Sequence, residues 1–318
     1  MIAAVLKKPQ LFELQKQQEP IINTDEVRIR VEGCGICASS IPLWEGREWF
    51  QYPMEAGSPG HEGWGTVEEV GETVSKVKAG DRVAFLSFHS YAEYDKVNES
   101  SLVKLPEDLA GKPFPGEPLG CALNIFDRSD ITANDTVAII GIGFLGALLC
   151  QLARSKGAKV IAISRRPYSL GFAERYGADE VIPLTSTWEV ANKVAEITRD
   201  NFCSRVVEAT GKQEAIDIAT EIIGEGGKII IAGFHQDGLR QVNLQKWNWK
   251  GIDVINAHER DTRKYITGME KAAQAVSNGL IDPALLYTDV LSLDALGKGF
   301  ELTSNRPEGF MKALVNCS

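Results

Sequence analysis

Residues 136–146 read Thr136-Val-Ala-Ile-Ile140-Gly141-Ile-Gly143-Phe144-Leu145-Gly146. Ala147 to Lys156 behind them have helical spacing and lead into a second apolar run, Lys159 to Ile163. A strand that runs into three glycines at this spacing and opens a helix can cradle a phosphate. The first glycine makes the tight turn and the second lets a pyrophosphate approach the backbone. The third lets helix and strand pack closely, and the helix N-terminus adds a positive dipole. Gly141, Gly143, Phe144, Leu145 and Gly146 are therefore candidate dinucleotide contacts. The plainer alternative is a glycine-rich connection that holds nothing.

The end of the second strand refines this reading. An acidic residue usually stands there, about 20 residues past the motif, to hold a ribose 2′-hydroxyl. This chain has Ser164-Arg165-Arg166 instead. A small neutral residue followed by two guanidinium groups suits a dianionic 2′-phosphate, so NADP is the expected preferred cofactor, with NAD possible. The competing account is a solvated basic loop.

Outward from this core, Thr136–Ile140, Lys159–Ile163, Arg205–Glu208 and Lys228–Ala232 read as strands alternating with helical segments. That is the grammar of a parallel doubly wound α/β sheet. The N-terminal part reads differently. Val27, Ile29 and Val31 alternate with charged residues, Thr66–Val70 and Arg82–Phe85 are further strands, and turns such as Lys78-Ala-Gly-Asp81 separate them. The final part holds a helix, Tyr265–Asn278, and a strand-like tail, Met311–Val315. The expected division is a β-rich domain over 1–121, a dinucleotide-binding domain over 122–258 and a last segment over 259–318, with a cleft between the two domains.

Composition narrows the partners. The chain has 318 residues, 34 Lys and Arg against 43 Asp and Glu, and a net charge of −9, with no basic stripe. No nucleic acid is expected as a partner. The 44% of apolar residues excludes a disordered or fibrous chain. Val137 to Ala153 is apolar except for Gln151, yet it spans 17 residues and contains the three glycines, so strand plus helix fits better than a membrane span and no membrane partner is expected. The N-terminus has a short apolar start followed by lysines, the wrong charge order for a signal peptide. Cys34, Cys37, Cys121, Cys150, Cys203 and Cys317 then read as free thiols in a reducing cytoplasm.

One further cluster carries chemistry. Cys34-Gly-Ile-Cys37 ends a strand, which disfavours a thioredoxin-type redox pair, and the chain has no second CxxC to complete a structural zinc site. A catalytic zinc needs three protein ligands and an open position. Cys37 and His61, 24 residues apart, are candidates for two of them, the latter within Gly60-His61-Glu62-Gly63. Glu62 and Glu117 are carboxylate candidates for the third, and Cys121 is a rival. Spacing alone leaves ordinary packing as an explanation for each.

Taken in order, these motifs resemble the medium-chain dehydrogenase/reductase superfamily, in its zinc-dependent alcohol and polyol dehydrogenase branch. The resemblance covers nearly the whole chain. It rests on Gly35-Ile-Cys37-Ala-Ser39, Gly60-His-Glu62 with Gly65, Val70 and Gly71, Gly80-Asp-Arg-Val83, Tyr91-Ala-Glu-Tyr94, Glu117-Pro-Leu119, the glycine turn, Tyr176-Gly-Ala-Asp179, Glu208-Ala-Thr-Gly211 and Gly226-Gly-Lys228. It implies a GroES-like catalytic domain over 1–121, a Rossmann domain over 122–258, and a return to the catalytic domain over 259–318. It puts Cys37 and His61 on zinc-ligand positions, Glu117 on the third, and Glu62 either on the metal or behind it. Ser39 falls on the hydroxyl that takes the alcohol proton, and Thr210 and Gly233 join Ser164, Arg165 and Arg166 as cofactor contacts.

The chain departs from the family in two ways. The lobe of four cysteines that holds a structural zinc in many members is missing after Val83, so one catalytic zinc per chain is expected. The usual Asp and His after the first motif are Ser40 and Pro42. The implied activity is hydride transfer between a nicotinamide cofactor and a small secondary alcohol or ketone, by a homodimer or homotetramer. Zinc-free reduction of quinones or enoyl compounds on the same fold is the main alternative, and a nucleotide-binding module without catalysis is another. His89 before the Tyr91–Tyr94 strand, His235 and His258 are expected to be ordinary hydrogen-bonded histidines. Trp44, Trp49, Phe50 and Phe88 are candidate pocket walls, and Trp247 and Trp249 are candidates for packing or a subunit interface.

Overall fold

Val27, Ile29 and Val31 are fully buried, and the alternation that marks them in the sequence becomes the buried face of a central strand. The computed structural model describes residues 1–236 and 238–317. In chain order the first elements are β1 (Ile2–Lys8), β2 (Leu11–Lys16), β3 (Glu26–Gly35), α1 (Ile41–Glu45), β4 (Glu62–Val70), β5 (Arg82–Phe85), β6 (Tyr94–Asn98) and β7 (Leu102–Lys104). Helix α2 (Gly116–Ser129) follows. Next come β8 (Thr136–Ile140), α3 (Phe144–Ser155), β9 (Lys159–Ser164), α4 (Pro167–Arg175), β10 (Glu180–Pro183), α5 (Thr187–Thr198), β11 (Cys203–Glu208), α6 (Gln213–Ile222), β12 (Ile223–Ile231), α7 (Leu244–Lys250) and β13 (Asp253–Asn256). The chain ends with α8 (Thr262–Ser277), β14 (Tyr287–Ser292), α9 (Leu296–Asn305) and β15 (Lys312–Asn316).

Two units result, Met1–Gly120 with Asp261–Ser318, and Cys121–Arg260. The first is built on a sheet ordered β14-β15-β3-β4-β5-β7, with β6 also on β3. Apart from the parallel β14–β15 pair, its ladders are antiparallel. Its core gathers Leu6, Ile29, Phe85 and Tyr91 with Phe300 from α9. Tyr91–Glu93, read above as strand, instead bonds across to β1 and β3: Ala4 N–H donates to Tyr91 O, Glu93 N–H to Ile2 O and Val31 N–H to Glu93 O. Ladder geometry begins only at Tyr94.

The second unit is a parallel sheet ordered β10-β9-β8-β11-β12-β13. The strand order reverses between β8 and β11, and that switch point leaves a crevice beyond the carboxyl ends of the strands. Near-continuous runs of Ile, Val and Ala in β8 and β9 suit strands covered on both faces. α3 starts at Phe144, three residues before the expected Ala147, because Gly143 already occupies the N-cap. Among the described residues no helix is long and apolar enough to cross a membrane.

Candidate active site

The carboxyl end of β3 and the start of β4 lie side by side, with Cys34 paired to Gly63 and Gly35 to Glu62. This register brings the two motifs together. Cys37 follows β3 at the mouth of a single 3-10 turn, Ala38–Ser40, that feeds α1. His61 sits immediately before β4. The donor atoms of Cys37, His61 and Glu62 lie within 4.8 Å of one another, the one such group of three found among the described residues. Ser39 Oγ donates to Cys37 Sγ at 3.1 Å. His61 Nδ1 lies 3.0 Å from Pro59 O, so that nitrogen donates to the carbonyl and Nε2 is the ring nitrogen left to face a metal. Phe88 stacks on the imidazole, 6.2 Å between centroids at 8°.

Glu62 is wholly buried, and a buried carboxylate needs a counter-charge. Lys312 supplies it, with Nζ 2.7 Å from Oε1 and 2.5 Å from Oε2, and donates a further bond to Ile36 O at 3.1 Å. Burial works against the charged amine, but the Glu62 and Cys37 charges outweigh it and hold the Lys312 pKa above its ordinary value. Oε2 also presses on β3, where a Cβ on Gly35 would come within 1.9 Å of it.

Burial pulls the His61 pKa down, but the hydrogen bond and charge of Cys37, with the charges of Glu117 and Glu62, push it up to about 10. Such a field favours any cation, including a divalent metal. Sulfur, imidazole nitrogen and carboxylate oxygen form a zinc donor set, so these residues fit the metal. Glu117, in the first turn of α2, acts on His61 through its charge but is not part of the three-donor group. Pro42 is buried in α1, and Ser40 is buried beside it. Arg306, just past α9, is close enough for the Cys37 charge to act on its guanidinium.

In the second unit the three glycines occupy distinct environments. Gly141 has φ +98°, a left-handed conformation that glycine adopts without strain, and a Cβ there would strike Thr210 Cγ2 at 2.4 Å. A Cβ on Gly146 would come within 2.1 Å of Gly141 O, so this glycine lets α3 close on the turn. Around Gly143 there is no atom within 4 Å of such a Cβ, which leaves the backbone open to a ligand. Phe144 and Leu145 form the first turn of α3 behind it.

Glu208, wholly buried at the end of β11, organises the neighbouring loops. Its Oε1 accepts from Thr210 N–H at 2.7 Å, Thr210 Oγ1 at 2.6 Å and Gly211 N–H at 2.8 Å. Its Oε2 lies 2.9 Å from His235 Nε2, and a Cβ on Gly233 would come within 2.6 Å of that oxygen. Arg240 Nε donates to His235 Nδ1 at 3.1 Å, which makes Nε2 the protonated nitrogen. Thr210 is thus held by the Glu208 carboxylate, a residue quoted in the Glu208-Ala-Thr-Gly211 motif without a role, and Gly233 N–H donates to the Glu208 backbone carbonyl at 2.8 Å.

Ser164 closes β9 and is buried, Arg165 points outward to Glu214, and Arg166 N-caps α4. His89 pairs with Glu55 at 2.9 Å, and His258 lies against the Phe234 ring at 5.4 Å. Lys312 also escaped the motif reading, although a lone lysine inside Phe310-Met-Lys-Ala-Leu-Val315 was a legible signal: a charge in a buried strand requires a partner.

Sequence profiles of known families match both units. One described as an alcohol dehydrogenase GroES-like domain matches residues 23–111, and one described as a zinc-binding dehydrogenase matches residues 145–277. The chain is 24% identical to sorbitol dehydrogenase of Bacillus subtilis (strain 168), over 99% of this chain and 97% of that protein. It is 27% identical to D-arabitol-phosphate dehydrogenase of Enterococcus avium, over 81% of this chain and 82% of that one. Among solved structures, a zinc-binding dehydrogenase from Sinorhizobium meliloti 1021 bound to NADP superposes with a TM-score of 0.85 at 24% identity, over 99% and 98% of the two chains.

Proposed function

The chain belongs to the medium-chain zinc-binding dehydrogenase superfamily, and from that premise we propose a zinc- and nicotinamide-dependent oxidoreductase that interconverts a secondary, polyol-like alcohol and its ketone. The observation that carries this reading is the group of Cys37, His61 and Glu62 with the Ser39 hydroxyl bonded to the thiol. A zinc-free reductase has no use for such a set. The polyol class is supported by the names of the relatives, sorbitol and D-arabitol-phosphate dehydrogenase.

Cys37 and His61 would hold the metal, one zinc per chain. The third donor would be a carboxylate: Glu117, on the family position, or Glu62, which lies within the three-donor group and is paired with Lys312. Zinc, if bound, would supply a Lewis acid for the alcohol oxygen, and a bound nicotinamide would supply the hydride acceptor. The remaining work falls to the chain. Pro59 O orients the imidazole through Nδ1, and the Phe88 ring lies parallel to it. Ser39 Oγ receives the alcohol proton. Pro42 has no group that could take it further, so Ser39 passes it to the cofactor ribose or to water.

Gly141, Gly143 and Gly146 carry the pyrophosphate, and Ser164, Arg165 and Arg166 favour NADP(H) while NAD(H) remains usable. A homodimer is the proposed assembly. It is supported by β13, an edge strand on which Val254 is exposed, and by Trp249, 83% exposed just before it. The experiment is metal analysis and activity on a panel of polyols for the parent and for Cys37→Ala. One zinc in the parent, and neither zinc nor activity in a still folded variant, is the expected result. Two zincs per chain, or full activity in Cys37→Ala, overturns the reading.

A further inference from the structure

Arg165 stands just past the end of β9, where the ribose of a bound dinucleotide would be read, and its guanidinium already has a partner: Nη2 bonds Glu214 Oε2. Glu214 comes from the first turn of α6, 49 positions along the chain. The pair lies at the surface, with the Arg165 side chain 69% exposed and that of Glu214 34%. Neither residue is needed by the core, so the contact has the freedom to break.

We propose that Glu214 determines nucleotide selectivity: by occupying the Arg165 guanidinium it weakens the preference for a 2′-phosphorylated nicotinamide nucleotide and keeps the unphosphorylated one usable. This rests on the crevice being the nicotinamide site. A 2′-phosphate must either displace the carboxylate from Arg165 or share the guanidinium with it, and in the second case it also meets a like charge. Both costs fall on NADP(H) alone, because NAD(H) presents only hydroxyls there. Two surface charges a few ångströms from a dianion, screened by solvent and salt, amount to about fivefold in affinity. Ser164 is neutral and adds no competing charge at the strand end.

The test titrates the zinc-loaded protein with NADPH and NADH, following nucleotide fluorescence, for the parent, Glu214→Gln, Arg165→Ala and the double variant. Expected is NADPH binding about fivefold tighter in Glu214→Gln with NADH within twofold of the parent, a gain that shrinks at high salt and vanishes in the Arg165→Ala background. Unchanged or weakened NADPH binding in Glu214→Gln, equal tightening of both nucleotides, or a gain that survives without Arg165 overturns the proposal while the nicotinamide reading stands. Absence of binding by either nucleotide to the parent overturns both.

Discussion

Glu62 and Lys312 are 250 positions apart in the chain and meet in the interior at 2.7 Å. With side chains 0% and 7% exposed, neither charge can fall back on water. Removing the amine in Lys312→Met leaves a buried carboxylate without its cation, a change that typically costs about 3–5 kcal/mol. The metal-free variant should lose stability on that scale in denaturant titrations. Added zinc should restore part of it, because a cation at Cys37 and His61 replaces the missing positive charge. An undiminished denaturation midpoint would mean that the pair is incidental. Ser39 makes a different prediction. Its hydroxyl touches Cys37 Sγ but supports no strand or helix, so Ser39→Ala should leave NADPH binding and thermal stability near the parent values. Turnover under conditions where chemistry limits the rate should fall about 10²–10⁴-fold. Near-normal turnover there removes Ser39 from the proton path.

At the scale of the element, the turn between β8 and α3 separates binding from folding within six residues. Gly143 has φ −99° and ψ −161°, extended backbone that any residue adopts, and open space where a side chain would go. Gly146 has the carbonyl of Gly141 in that place. Gly143→Ala should therefore keep the melting temperature of the parent and weaken NADPH by tenfold or more, since the methyl group stands where the pyrophosphate approaches. Gly146→Ala must push α3 off the turn. It should lose about 1–3 kcal/mol of stability together with nucleotide binding. Equal melting temperatures in the two variants would contradict this assignment of roles. The turn was legible because its determinants are local: tight turn, open N-cap and close packing are all set within one strand–helix junction. The role of Glu208 was not, although its motif was quoted and its carboxylate holds Thr210 and Gly211. Its other partner, His235, is 27 positions away, and nothing in a period-two strand says that its last residue is buried as a carboxylate.

The whole chain shows the same limit on a larger scale. The parallel sheet of β8 to β13 is contiguous in sequence, and alternation of strand and helix was enough to read it. The first unit is discontinuous, and what closes it comes from beyond residue 260. β15 pairs with β3, Lys312 reaches Glu62, and Phe300 packs at 5.1 Å from Phe12, 5.9 Å from Trp44 and 6.0 Å from Tyr91. The tail was readable as a strand, but not its neighbour, because register between distant segments leaves no mark in either one. The two halves of the chain should consequently behave differently when separated. A fragment spanning Cys121–Arg260 keeps its own core of Ile140, Ile161, Ile163, Val206 and Ile229, and every ladder of its sheet lies within it. It should unfold cooperatively by circular dichroism and retain NADPH fluorescence enhancement. A fragment spanning Met1–Gly120 loses the partner of β3 on one side, leaves Glu62 uncompensated and empties the site of Phe300, whose removal alone costs about 3–5 kcal/mol in a typical core. Added to about 3–5 kcal/mol for the uncompensated carboxylate, this reaches the total stability expected of a unit of this size. It should show no cooperative transition, and supplying Asp261–Ser318 in trans should restore one. A cooperative melt of Met1–Gly120 alone would show that the C-terminal return adds only the site's charge and not the fold of the unit.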